Sequence, residues 1–202
     1  MSLVVAGALV IAVVDGGIPS GVPNLEVVES VANPSPIDHG QKIVDAIIAE
    51  IPAGTDYRIL YASAFEGEAD QDGAIVMDWS IMTHAMVKFR DAGATHVCTS
   101  FTGEDVETAQ VVADFAKKLG LTIVASMGND ERQTPRLGTL DGVVGVIADE
   151  YSFPIDPDSM FGKAIDYRTS GVLPSGSRGS SFAAARVCVR LAIEAQAAGP
   201  RL

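Results

Sequence analysis

Val10-Ile11-Ala12-Val13-Val14-Asp15-Gly16-Gly17 is the stretch on which the reading of the fold turns. Five successive apolar residues, mostly β-branched, fit a strand buried on both faces. The run ends abruptly in a carboxylate and two glycines. A buried carboxylate is costly unless it is hydrogen-bonded, and glycines let the chain turn sharply and expose backbone donors. Taken alone, the segment reads equally as a turn or helix-capping aspartate. A phosphate-binding loop is a poorer reading, because no Gly-x-Gly-x-x-Gly or Walker spacing follows.

Four more runs of the same kind lie downstream: Arg58–Ala62, Thr95–Thr99, Thr122–Ala125 and Val143–Ile147. Between them fall helical patterns. Gln41–Ile51 places Ile43, Val44, Ile47 and Ile48 on one face. Ala74–Ala92 does the same with Ile75, Met82, Met86 and Phe89. Asp105–Leu119 is a third, and Ser181–Ala197 is so apolar in its first half that it is expected to be buried. Gly93 and Gly120 stand where helices stop before strands. Alternation of this kind predicts an α/β fold of three layers, a mostly parallel sheet with helices on both faces. The segment 151–179 is rich in proline and glycine and reads as loop. With no linker and no internal repeat, residues 1–202 read as one domain.

Composition narrows the function classes. Of 202 residues, 48% are hydrophobic and 20% charged, enough apolar material for a core. The net charge of −12 argues against a nucleic-acid partner, which needs a basic face. The apolar start, Leu3 to Val14, is roughly a dozen residues against the roughly 20 of a membrane span. It lacks a basic flank, so neither a membrane anchor nor a signal peptide is expected. Cys98 and Cys188 form no Cys-x-x-Cys pair. They read as buried free thiols in a reducing, cytoplasmic compartment, not as a disulfide framework or zinc site.

In open parallel sheets, sites form beyond the C-terminal ends of strands, and four segments there carry chemistry. Asp15 ends the first run. His39, in Ile37-Asp38-His39-Gly40, precedes a helix whose dipole disfavours imidazolium and so favours a neutral base. The alternative there is an Asp38 cap beside a surface histidine. Asn129, in Ala125-Ser126-Met127-Gly128-Asn129, reads as a left-handed turn residue or as an oxyanion donor. Ser181, in Gly179-Ser180-Ser181-Phe182-Ala183-Ala184, opens the apolar helix, either as a cap or as a nucleophile beside unpaired amides. Each segment alone is ambiguous. Aspartate, histidine, asparagine and serine in that chain order match one known arrangement of an acyl-transfer triad.

These segments resemble the motifs of the subtilisin-like serine peptidases. Asp15-Gly16-Gly17 is similar to the family's Asp-Ser/Thr-Gly, and Asp38-His39-Gly40 to its His-Gly-Thr-His segment. Ser100-Phe101-Thr102-Gly103 is similar to its Ser-Leu-Gly-Gly strand, and Ala125–Asn129 to its Ala-Ala-Gly-Asn. Gly179–Ala184 is similar to its Gly-Thr-Ser-Met-Ala-Ala. The resemblance implies a serine endopeptidase in which Ser181 attacks a peptide carbonyl and His39 takes its proton. Asp15 would orient the imidazole, and Asn129 would hold the oxyanion. It also implies an extended peptide lying against Ser100, Phe101, Thr102 and Gly103, with Phe101 and Ala125, Ser126, Met127 and Gly128 walling the first specificity pocket. No metal or cofactor is implied. The sequence departs from the family at Gly16, at Gln41-Lys42, at Thr169-Ser170-Gly171 and at Ala185-Arg186. These departures leave open a peptide-binding protein of the same fold that cleaves poorly or not at all. A nucleotide-binding α/β module is a third reading, but it does not account for four motifs in triad order.

Two other features read as structural. Glu68, Asp70 and Asp72 before Gly73 alternate as a calcium loop begins, but Trp79 stands where the closing glutamate belongs. His84 falls in a helix and His96 in a strand, far in sequence from other ligands.

Overall fold

The computed structural model describes residues 7–68, 75–101, 105–129, 137–151 and 164–199. Its centre is a seven-stranded sheet. The strands are β1 (Leu9–Asp15), β2 (Leu25–Ser30), β3 (Tyr57–Ser63), β6 (His96–Thr99), β7 (Thr122–Ser126), β8 (Val144–Ala148) and β9 (Tyr167–Thr169). Their order is β2-β3-β1-β6-β7-β8-β9, and every neighbouring pair is parallel. A two-residue ribbon, β4 (Phe65–Glu66) with β5 (Val76–Met77), lies beside it.

Strand side chains alternate between faces, and the two cores follow that alternation. Leu9, Ile11 and Val13 of β1 join Ile59, Tyr61, Cys98, Val124 and Val146 on one face. Helices α1 (His39–Glu50) and α4 (Ser180–Ala198) cover it. Ala12 and Val14 join Leu60, Ala62, Val97, Ile123 and Ala125 on the other face, under α2 (Trp79–Asp91) and α3 (Val106–Lys118). Because both faces are covered, the central strands are largely apolar, which makes them legible as runs. The expected three-layer α/β architecture is therefore present.

The chain departs from the sequence reading at the margins. Strands β2 and β9 sit at the two edges and were not expected. β2 reads Leu-Glu-Val-Val-Glu-Ser and is partly exposed along its length, with an irregular register between Val27 and Glu29. Helix α2 begins at Trp79, not Ala74. The Asp78 carboxylate accepts the Ser80 and Ile81 amides and caps the helix there. Val76 and Met77 instead pair with Phe65 and Glu66 of β4.

Cys98 and Cys188 are both buried and free, and their thiols neighbour one another. That contact and burial raise the Cys98 pKa well above the ordinary thiol range. Among the described residues no helix is long and apolar enough to cross a membrane. No group of three metal-ligating side chains gathers among them either.

Candidate active site

Strand β1 is where the sheet order reverses. Its neighbours are β3 on one side and β6 on the other. A crevice is expected outside its C-terminal end, and Asp15 is the residue that ends it. Asp15 is 3% exposed. Its Oδ1 accepts the Gly16 amide at 2.7 Å and bonds His39 Nδ1 at 2.8 Å. These contacts offset the desolvation of a buried carboxylate.

The glycines after Asp15 are needed for close approach. A Cβ on Gly16 would stand 2.6 Å from Ile37 Cδ1. One on Gly17, whose φ is +70°, would stand 2.3 Å from the Ile37 carbonyl oxygen. The segment leading to His39 is thereby packed against the turn that follows Asp15.

His39 is the first residue of α1, with Asp38 in the N-cap position. The Asp38 carboxylate makes no capping bond and pairs with Lys42 at 2.9 Å instead. The His39 side chain is 33% exposed. Burial pushes its pKa down, but the charge of Asp15 and its hydrogen bond push it up by more, so the net shift is upward. The pull of the helix N-terminus toward the neutral imidazole is therefore opposed by Asp15. A carboxylate in direct contact outweighs a partial charge on the helix end.

Ser181 lies in the first turn of α4, the helix with the most buried residues among those described. Its neighbour Phe182 stacks on the His39 imidazole, with ring centres 5.9 Å apart and planes at 28°. The serine turn and the histidine turn therefore meet side by side. Ser181 does not cap the helix: the N-cap position is Gly179, and no side chain of the helix start caps it. Among the described residues the Ser181 hydroxyl has no hydrogen-bond partner, whereas the preceding Ser180 is anchored. Ser180 is fully buried and its Oγ accepts the Ala148 amide at 3.0 Å, pinning the helix start to the end of β8.

Asn129 supplies the cap. Its Oδ1 accepts the Ser180 amide hydrogen at 2.7 Å. The tight turn here is made by Gly128, at φ +124°, and Asn129 is not left-handed. With the carbonyl oxygen committed to Ser180, the amide NH2 remains as a donor beside the serine turn.

The residues expected to bind substrate fall in different surroundings. Thr102 and Gly103 lie outside the described residues, as do Asp70, Asp72 and Gly73 of the acidic loop. Ser100 Oγ accepts the Ser126 amide at 3.1 Å, tying the ends of β6 and β7 together. Ala125 and Met127 are fully buried, so this segment presents backbone, not those side chains. Phe101 sits edge-on to Phe65 at 5.7 Å and to Trp79 at 5.4 Å. That trio joins the β4 arm, the start of α2 and the end of β6.

Sequence reading missed a brace behind Ser181. Glu150 accepts the Ser170 hydroxyl at 2.5 Å and the Gly171 amide at 2.8 Å. Arg186 donates to the carbonyls of Ser170 and Val172 at 3.0 and 2.7 Å. Gly171 in turn accepts the Gly179 amide at 3.1 Å. The departure from the family motif at Arg186 was visible in the sequence, but its partners are brought together only by folding.

The architecture is that of the subtilisin-like protease domains. Three solved structures show the likeness. The self-cleaved protease domain of PatA superposes with a TM-score of 0.60 at 18% identity, over 93% of this chain and 80% of that one. The prenylagaramide maturation protease PagA gives 0.58 at 18% identity, over 92% and 74%. A lanthipeptide protease gives 0.60 at 19% identity, over 91% and 72%. No protein-family model and no curated protein matches the sequence. At such identities the likeness establishes the fold.

Proposed function

We propose that this chain is a serine endopeptidase. Asp15, His39 and Ser181 would form its triad, with Asn129 and the Ser181 backbone amide as oxyanion donors. The observation that carries the reading is the 2.8 Å bond between His39 Nδ1 and buried Asp15 Oδ1, with Phe182, next to Ser181, stacked on the same ring. In this mechanism Asp15 fixes the imidazole with its proton on Nδ1, leaving Nε2 as the base. Ser181 Oγ gives its proton to Nε2 as it attacks the peptide carbonyl. The imidazolium, stabilised by Asp15, then protonates the leaving amine. A water, deprotonated by the same nitrogen, releases the acyl group and restores the serine. The Asn129 amide faces the charge that develops on the carbonyl oxygen.

The substrate class we infer is a peptide precursor. Structural neighbours include the prenylagaramide and patellamide maturation proteases and a lanthipeptide protease. An extended peptide would lie along the backbone at the ends of β6 and β7 as an added strand.

Intact-mass measurement after fluorophosphonate treatment tests this reading. Wild type is expected to gain one adduct and Ser181→Ala none. An unlabelled but well-folded wild type would overturn it. The second reading, peptide binding without cleavage, is favoured by the absence of a hydrogen bond on Ser181 Oγ among the described residues. It expects peptide binding by the protein with no adduct and no turnover.

A further inference from the structure

Tyr61 lies in β3, in register with Val13 and two positions short of the Asp15–Ser63 pair. It is fully buried in the core under α1 and α4. Its hydroxyl donates to the Gly16 carbonyl at 2.8 Å, the carbonyl that immediately follows Asp15. The same oxygen lies against Gly40, the residue after His39. A Cβ on Gly40 would stand 1.9 Å from Tyr61 Oη and 2.4 Å from the Gly16 carbonyl oxygen. Three segments distant in sequence thus converge on one phenol oxygen: the turn after Asp15, the first turn of α1, and β3.

Apolar packing alone does not fix such a meeting. A buried aromatic ring can slide by fractions of an ångström with little loss of contact, whereas a hydrogen bond is directional. A buried phenol also needs its partner, because an unpaired buried hydroxyl is destabilising. Burial and the nearby Asp15 charge keep the phenol protonated, hence a donor. Gly40 carries no side chain, so α1 can approach close enough for the same oxygen to set its distance from the β1 turn.

We propose that Tyr61 is a positioning residue for the Asp15–His39 pair. Its hydroxyl holds the turn behind Asp15 and sets how closely the first turn of α1 approaches it. The consequence for turnover rests on the peptidase reading. The consequence for the geometry of the pair does not.

Tyr61→Phe removes one oxygen and keeps the ring. Two measurements on this variant and wild type test the proposal: titration of the His39 imidazole by 15N NMR, and the fluorophosphonate labelling rate. The groups acting on His39 besides Asp15 are Lys42 and Asp38, and both are untouched. The expected result is a folded variant whose His39 titrates closer to the ordinary imidazole value. Labelling should slow by about ten- to a hundredfold, as small misplacements of reacting groups do. A wild-type titration of His39 in Tyr61→Phe overturns the proposal whatever happens to labelling. If wild type itself never labels, the peptidase reading falls and the titration still decides the positioning role. If the variant does not fold, the wild-type Tyr61 hydroxyl proton is the probe. It is expected to exchange slowly and to show a nuclear Overhauser effect to the Gly40 α-protons. A rapidly exchanging hydroxyl without that effect overturns the proposal.

Discussion

The Asn129 side chain, at the end of the β7 turn, accepts the backbone amide of Ser180 at 2.7 Å and so caps the helix that carries Ser181. One side chain thereby performs a structural task with its oxygen and leaves its nitrogen for chemistry. Substitutions separate the two. Asn129→Ala should lose about 1 kcal/mol of stability as a lost cap and about 10²–10³ in acylation rate as a lost oxyanion donor. Asn129→Asp keeps an acceptor at a helix N-terminus, where negative charge is favoured. It should retain stability and still lose the rate. Thermal unfolding and labelling kinetics read the two effects. An aspartate variant that labels at the wild-type rate would leave Asn129 with the capping role alone.

The His39–Asp15 bond predicts a pH profile. The net upward shift of His39 means that the free base is reached only above the ordinary imidazole value of about 6.5. Labelling of Ser181 should therefore climb with pH through that raised value. The linked stability has the opposite course. A group whose folded pKa is raised contributes stability that is fully present below its unfolded pKa and lost as pH rises through its folded one. Asp15→Asn removes the charge that raises His39. It should move the midpoint to more acid pH and slow the reaction, by about 10⁴ if the usual triad logic applies. A labelling midpoint unchanged in Asp15→Asn would dissociate Asp15 from the reaction.

The brace behind the serine turn predicts a steric phenotype. A Cβ on Gly171 would meet the Gly179 carbonyl oxygen at 2.3 Å and Ala148 Cβ at 2.7 Å. Neither contact belongs to the end of a flexible side chain, so backbone must move. Gly171→Ala should cost about 1–3 kcal/mol, as overpacked sites do, and slow labelling by displacing Gly179. Denaturant unfolding and labelling rates measure both. An unperturbed labelling rate would show that the brace does not control the serine.

The Phe65–Phe101–Trp79 trio predicts a change in peptide selectivity. Phe101 was expected from the sequence to wall the first specificity pocket. In the fold its ring packs against two other aromatics. Phe101→Ala should weaken cleavage of peptides with large apolar side chains by roughly 10–200-fold, the range that hydrophobic pockets discriminate. Cleavage of a peptide library by both forms is the measurement. An identical profile would remove Phe101 from substrate contact.

The layered sheet and its two cores were legible in the sequence because the central strands are covered on both faces. Val10–Val14, Thr122–Ala125 and Val143–Ile147 have no polar side to interrupt the run. The edge strands β2 and β9 were not legible, because an edge strand is half-solvated and mixes charges with apolar residues. The start of α2 was hidden for a related reason: Ile75 continues the helical face of Met82, Met86 and Phe89, and only pairing with Phe65–Glu66 draws Val76 and Met77 into a ribbon.

At the site, chain order and element boundaries were enough to single out Asp15, His39, Asn129 and Ser181. Each sits where a buried strand ends or a helix begins, and that is a local property of sequence. What only the tertiary structure decided are the contacts between those ends. They include the net charge preference of His39, the capping of α4 by Asn129, the meeting of Cys98 with Cys188, the Glu150–Arg186 brace and the Tyr61 hydroxyl between Gly16 and Gly40. A side chain's local pattern fixes its element and its face. Its partners across the sheet are fixed by strand order and register, which no single segment encodes.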